Sequence, residues 1–199
     1  MAWFYASHAY ISIYIVTFLL LSRWPSTIAK PDVPSHLSTK AKTCPFPSTL
    51  ISKACKGTAS FSSLEEACIT SLTSNHRTAS ALTTSELAKA ALSIAIEKAE
   101  HTMILIGSPK KPCFKSCAEN YKDSVVVGLR NAERSMEKGN VDETDDELSV
   151  ARDAADYCNM VLAVDPDDTK SPIFAANNDV YNHITFVMSV ADLFSSLNQ

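Results

Sequence analysis

The sequence predicts an all-α fold, an up-down-up-down four-helix bundle preceded by a small, disulfide-closed helical hairpin. Four long segments carry apolar or small residues at helical spacing, and short turns rich in Gly, Asn and Pro separate them. Segments of alternating β-branched residues, which would indicate strands, are absent. The second and third long segments meet at Gly139-Asn140 and carry Cys117 and Cys158 near their far ends, so a disulfide bond can join them.

The first 29 residues are predicted to be a secretory signal peptide. Residues 11–21 form an apolar run that is short for a membrane-spanning helix, and Thr27-Ile28-Ala29 suits a cleavage site. No Lys or Arg precedes this run, so an uncleaved membrane anchor is the alternative. Residues 30–47 contain four prolines and are predicted to be an extended lead-in, which includes Cys44.

Charge and cysteine content narrow the possible partners. Secretion would place the chain in an oxidising compartment, where its six cysteines can form disulfide bonds. Removal of residues 1–29 takes away only Arg23, which leaves 17 Lys and Arg against 22 Asp and Glu, a net charge of −5. This mild acidity argues against a nucleic-acid partner, and no membrane partner is expected once the signal is removed.

Residues 48–74 are predicted to form the small hairpin. Helices over 48–56 and 62–72 would bring Cys55 and Cys68 to face each other, and a bond between them would contribute about 3 kcal/mol. Helices this short are marginal alone. The hairpin must therefore dock either on the main bundle or on a neighbouring molecule.

Residues 83–197 are predicted to supply the four bundle helices. The first begins at a capping-box pattern, with Thr83 and Glu86 three residues apart, and ends at Gly107. The second covers about residues 114–138. The third follows directly, and the fourth begins after a proline-containing acidic turn.

Each bundle helix carries a stripe of apolar or small residues at steps of three and four, which marks its buried face. The stripes are Leu92, Ile96, Ala99, Met103 and Ile106; Cys117, Tyr121, Val125, Gly128, Ala132 and Ser135; Leu148, Ala151, Ala155, Cys158 and Leu162; and Val180, Ile184, Val187, Ala191 and Phe194. Because many of these residues are small, we expect the helices to pack closely without a ligand cavity.

Cys44 and Cys113 are left over by this pairing. They could bond to each other, which would tie the lead-in to the second bundle helix, or either could be a free thiol. Cys113 could also replace Cys117 as the partner of Cys158, because the two lie four residues apart. The stripe position of Cys117 favours Cys117.

No constellation in the sequence indicates catalysis, a metal site or a cofactor. Nucleophile-elbow, phosphate-loop and zinc-protease motifs are absent. The five histidines are scattered: His8 lies in the predicted signal peptide, and the other four are interpreted as loop or exposed residues, namely His36, His76, His101 and His183. The acids at 142–147 suit the first turns of a helix better than a cation site. Tyr121 is expected in the core, and Tyr157 and Phe174 on an exposed surface.

The sequence resembles the plant invertase and pectin methylesterase inhibitor family over roughly residues 48–197. The resemblance rests on the cysteine spacing, on Cys117-Ala-Glu-Asn-Tyr121 and on Lys170-Ser-Pro-x-Phe174. It implies the same fold and two family disulfide bonds, Cys55–Cys68 and Cys117–Cys158. It also implies a protein of the plant cell wall, secreted to the apoplast, that is not an enzyme but binds and blocks a secreted carbohydrate-active enzyme.

The resemblance also bears on the choice of target. Invertase inhibitors similar to this chain can carry a Pro-Lys-Phe motif shortly after a Lys-Gly pair, and this motif enters the invertase active site. Here Lys138-Gly139 is present, but Val141, Asp142 and Glu143 stand in the place of the motif and are the candidate target contacts. We therefore expect a pectin methylesterase inhibitor. An acid invertase inhibitor and a non-inhibitory extracellular structural or signalling bundle are the alternatives.

Overall fold

The structure, a computed structural model, describes residues 47–56, 62–107 and 111–197. The predicted signal peptide, the lead-in up to residue 46 and Cys44 lie outside the described residues. Within the described ranges the chain forms helices and turns and no strand, which confirms the all-α class. None of the helices in these ranges has the length and apolar character needed to cross a membrane.

Two short helices, α1 (Pro47–Cys55) and α2 (Ser62–Ser74), form the N-terminal hairpin close to its predicted bounds. A disulfide bond joins Cys55 to Cys68, with the two Sγ atoms 1.99 Å apart, so the disulfide-closed hairpin is confirmed. A one-turn helix, α3 (His76–Ala79), follows it. The sequence did not predict α3, because a single turn is too short to show a helical period.

Four long helical segments form the predicted bundle. They are α4 (Thr84–Ile106); α5 (Pro112–Asn120), a π-helical turn (Tyr121–Val125) and α6 (Val126–Glu137) in one continuous segment; α7 (Val141–Leu162); and, after a 3₁₀ turn (Asp168–Lys170), α8 (Pro172–Leu197). Helices α4 and α7 both pack against α6 and α8, which gives the closed square of an up-down-up-down bundle.

The π-helical turn corrects the prediction of an unbroken α-helix in the second segment. The buried residues Cys117, Tyr121 and Val125 follow one another at steps of four, which exceeds the 3.6-residue period of an α-helix. The wider i→i+5 turn restores the phase, so all three side chains are fully buried. The sequence pattern contained this signal as two consecutive steps of four.

Capping residues and glycines determine where helices end and how closely α6 and α7 pack. The predicted capping box is confirmed, since Thr83 Oγ1 accepts from Glu86 N at 3.1 Å and Glu86 Oε2 accepts from Thr83 N at 3.3 Å. Gly139 has φ 74°, a value that favours glycine, and turns the chain between α6 and α7. A Cβ on Gly128 would lie 3.0 Å from the Glu147 carbonyl oxygen, so α6 and α7 could not pack this closely with a larger residue there.

A disulfide bond and a hydrogen-bond network fix the register of the bundle. The Sγ atoms of Cys117 and Cys158 lie 2.09 Å apart and join α5 to α7. The Tyr121 hydroxyl donates to Asn177 Oδ1 at 2.6 Å, and Asn177 Nδ2 donates to Asn159 Oδ1 at 2.6 Å. The network therefore connects the π-helical turn to α8 and α7 inside the core. Burial raises the pKa of the Tyr121 phenol, which keeps it a hydrogen-bond donor.

The hairpin docks on the bundle of its own chain, the first of the two possibilities left open by the sequence. Ile51, Ala54 and Leu72 are each 1% exposed, in the layer between the hairpin and α8. Farther along the chain, the Arg77 guanidinium binds both carboxylate oxygens of Glu97 on α4, at 2.8 and 2.6 Å. Burial of apolar side chains holds the hairpin against the bundle, and the bidentate ion pair fixes the orientation of the segment that follows the hairpin.

Two residues expected on the surface are buried or partly buried. His183 is 6% exposed, because it lies beside the buried stripe of α8 and has hydrogen-bond partners on both sides of its ring. Phe174 is half-buried and packs against the core, so it was wrongly expected on an exposed surface. Tyr121 in the core and Tyr157 on the surface are as predicted.

We expect loss of the Cys117–Cys158 bond to lower the free energy of unfolding by about 4 kcal/mol, because the bond closes a loop of 41 residues. The double variant Cys117→Ala, Cys158→Ala avoids placing new hydroxyls in the core. Cys113→Ala, which removes a thiol that forms no disulfide, is the control. Chemical denaturation measures the free energy of unfolding of the double variant and of the control. Equal stability of the double variant and the native chain would contradict the prediction.

We expect Tyr121→Phe to lower the free energy of unfolding by about 1–3 kcal/mol, because it leaves the buried Asn177 Oδ1 without its donor. Tyr157→Phe is the matched control, since its exposed hydroxyl should contribute less than about 0.5 kcal/mol. Urea titrations followed by circular dichroism compare the two. Similar losses in both variants would show that the buried network does not stabilise the bundle.

Candidate functional site

Three side chains have the atom order of a Ser-His-Asp triad. Ser71 Oγ lies 2.8 Å from His183 Nε2, and His183 Nδ1 lies 3.1 Å from Asp179 Oδ1. Ser71, however, sits inside α2, where the neighbouring backbone N–H groups belong to helical hydrogen bonds and cannot form an oxyanion hole. Lys98 also pairs with Asp179 at 2.6 Å. The arrangement therefore serves to connect the hairpin to α8 and α4.

The charge on Asp179 holds this connection together. A hydrogen bond with His183, supported by Lys98, lowers the pKa of the Asp179 carboxyl to about 2. The carboxylate is therefore ionised throughout the mildly acidic range. Sequence reasoning missed this cluster, although the four-residue spacing of Asp179 and His183 next to the buried stripe of α8 was a signal for it.

Cys113 lies at a second junction, between the turn before α5 and the 3₁₀ turn. Its thiol is free and lies 3.3 Å from Oδ2 of the buried Asp168, and Lys111 Nζ lies 2.6 Å from Oδ1 of the same carboxylate. Burial and the Asp168 carboxylate raise the pKa of the Cys113 thiol, which makes it a poor nucleophile. In the structure Cys117, and not Cys113, is the partner of Cys158.

The candidate contacts Val141, Asp142 and Glu143 form the first turn of α7. Val141 is half-buried and lines an apolar recess with Ala191 and Phe194. Asp142 and Glu143 are exposed, and Glu143 Oε2 accepts a hydrogen bond from Asn140 Nδ2 at 2.8 Å. The structure thus places these residues in a capped helix end and not in a projecting loop.

Helix α7 as a whole presents an acidic surface. It carries seven acidic residues against the single basic residue Arg152: Asp142, Glu143, Asp145, Asp146, Glu147, Asp153 and Asp156. Among the described residues, no group of three His, Cys, Asp or Glu is arranged to hold a metal ion. Partial burial and, to a smaller extent, the nearby Asp145 raise the pKa of Asp192 on α8.

An apolar stripe runs along the same exposed side of α7. Val150, Tyr157 and Met160 are 54%, 42% and 57% exposed and follow one another at helical spacing. Beside Tyr157 a groove of about 370 Å³ lies between α7 and the segment of α5 and the π-helical turn, lined by Ser116, Glu119, Asn120, Asp123, Ser124 and Tyr157. We call this the α5/α7 groove. Large exposed apolar residues rimmed by charges are typical of a protein-binding surface.

Comparison with known proteins identifies the family. A family model described as plant invertase/pectin methylesterase inhibitor matches residues 49–190. No individually curated protein sequence matches the chain significantly. A solved structure of a mutant form of a pectin methylesterase inhibitor from Arabidopsis is similar, with a TM-score of 0.58 and 19% sequence identity. The match covers 72% of this chain and 95% of the inhibitor chain in that structure.

A second structure, of a pectin methylesterase inhibitor from Arabidopsis thaliana, has a TM-score of 0.48 and 19% identity, with 73% of this chain and 95% of that chain covered. At this identity the first likeness shows the fold alone. The family model, in contrast, spans well over half of the chain. This chain therefore belongs to the plant invertase/pectin methylesterase inhibitor family, whose members inhibit cell-wall enzymes and are not enzymes themselves.

Proposed function

We propose that this chain is a secreted inhibitor of pectin methylesterase. Residues 1–29 direct it to the apoplast, residues 30–47 form the lead-in, and residues 48–197 are the inhibitory domain. Membership of a family of cell-wall enzyme inhibitors supports inhibition as the activity. The choice of pectin methylesterase over acid invertase rests on one observation, the acidic first turn of α7.

The charge of this turn disfavours invertase as the target. Invertase is a glycoside hydrolase, and such enzymes act through a pair of carboxyl groups that flank the scissile bond. Asp142 and Glu143 would bring further negative charge to that pair, where invertase inhibitors similar to this chain can supply a lysine. In addition, Val141 is half-buried and Glu143 is bonded to Asn140, so the turn is not free to extend into a deep active site.

The rigidity of the domain supports a stoichiometric inhibitor that covers the active-site cleft with one face of the bundle. Two disulfide bonds and a docked hairpin hold the surface in one conformation. Less conformational entropy is then lost on binding. The acidic surface of α7 would speed encounter with a basic region of the enzyme, and salt would weaken this effect.

The test is a parallel titration of a plant pectin methylesterase and an acid invertase with oxidised residues 30–199. We expect one equivalent to remove pectin methylesterase activity between pH 4.5 and 7 and to leave invertase active. Loss of invertase activity alone would replace the proposal with invertase inhibition. No effect on either enzyme would favour the non-inhibitory bundle.

A graft tests whether residues 141–143 decide between the two targets. The variant Val141→Pro, Asp142→Lys, Glu143→Phe restores the motif, and proline is well tolerated at the first position of a helix. We expect this variant to gain invertase inhibition. Asp145→Lys, Asp146→Asn is the control, because it changes the net charge equally in the same helix. If the graft and the control gain invertase inhibition equally, the choice of target depends on the net charge of α7 and not on the residues at the motif position.

A further inference from the structure

We propose that the α5/α7 groove receives an arginine side chain of the target enzyme and anchors the complex there. The identity of the partner rests on the proposed function. The chemistry of the groove can be tested separately, because it concerns recognition of a guanidinium group.

The groove offers hydrogen-bond acceptors and negative charge on one wall. Glu119 on α5 and Asp123 in the π-helical turn are exposed carboxylates, and Ser116 and Asn120 line the same wall of the groove. Lys115 approaches Glu119 only to 4.0 Å, and both side chains are well exposed, so this pair is weak. Asp123 has no ion-pair partner among the residues that the structure describes. A cation entering the groove would therefore meet uncompensated charge.

Tyr157 supplies the opposite wall. Its ring belongs to α7, and its hydroxyl lies 3.4 Å from Ser116 Oγ across the groove. A guanidinium group can stack on a tyrosine ring while its N–H groups bind a carboxylate through two hydrogen bonds. A lysine ammonium would satisfy the charge but neither the stacking nor the bidentate geometry. The combination of a ring with nearby carboxylates therefore selects arginine.

The surroundings of the groove suit a buried anchor. Val150 and Met160 lie on either side of Tyr157 along α7 and are exposed, so they can exclude water around an inserted side chain. Asp153 and Asp156, both exposed, add negative charge on the same helix. An enzyme surface that carries an arginine within an apolar, basic surround is complementary to this face in both charge and polarity.

The first experiment compares inhibition of pectin methylesterase by matched charge variants. Glu119→Gln, Asp123→Asn neutralises the groove, and Glu66→Gln, Glu137→Gln removes the same charge from exposed positions elsewhere. We expect the groove variant to weaken inhibition by roughly tenfold to a hundredfold and to flatten its salt dependence, with little effect of the control. Equal inhibition by the two variants would overturn the proposal.

Tyrosine variants test the stacking contact in the same assay. Tyr157→Phe loses only the hydroxyl and keeps the ring, whereas Tyr157→Ala loses both, so we expect the alanine variant to inhibit about threefold to thirtyfold less than the phenylalanine variant. Thermal unfolding checks that both variants fold. Equal inhibition by the alanine and phenylalanine variants would exclude a role for the ring.

A second experiment does not need the enzyme and decides the matter if the native chain fails to inhibit. Amide shifts of the labelled chain are followed by NMR during titration with N-acetylarginine amide or its uncharged analogue N-acetylcitrulline amide. Shifts that centre on residues 116–124 and 157 with arginine, and are absent with citrulline and in the groove variant, would support the groove alone. No inhibition together with no such shifts would overturn both proposals.

Discussion

The buried hydrogen bonds from Tyr121 through Asn177 to Asn159 constrain the rest of this structure. They connect three of the four bundle segments, and each polar group finds its partner at only one helix register. A slip of one turn would leave these groups unpaired inside an apolar core, at a cost of about 1–3 kcal/mol for each. The π-helical turn and the neighbouring disulfide bond place Tyr121 where this network can form.

The hairpin depends on this fixed bundle. Its own helices are too short to be stable alone, and they bury apolar residues mainly against α8. Ser71, His183, Asp179 and Lys98 then connect α2 to α8 and α4 through consecutive polar contacts. This cluster has the atom order of a catalytic triad but lacks an oxyanion hole. Here the same types of side chain hold the hairpin on the bundle.

In the proposed complex, the outer surface of α7 and the groove beside it contact the target enzyme. The acids that begin this helix are favoured there by the helix dipole, and the same acids give the surface its charge. The same residues that favour the start of the helix would therefore also favour a basic partner, as we propose. Tyr157, Val150 and Met160 add the apolar area that charge alone cannot supply.

Helix bounds, the capping box at Thr83 and the turn at Gly139 were set by the sequence itself, because they depend on residues within one or two turns of each other. The facing positions of Cys117 and Cys158 followed from two helices of similar length joined by one short turn. The burial of His183, the docking of the hairpin on its own bundle and the α5/α7 groove could not be predicted. Each depends on side chains brought together from distant segments, and such contacts are decided only when the helices pack.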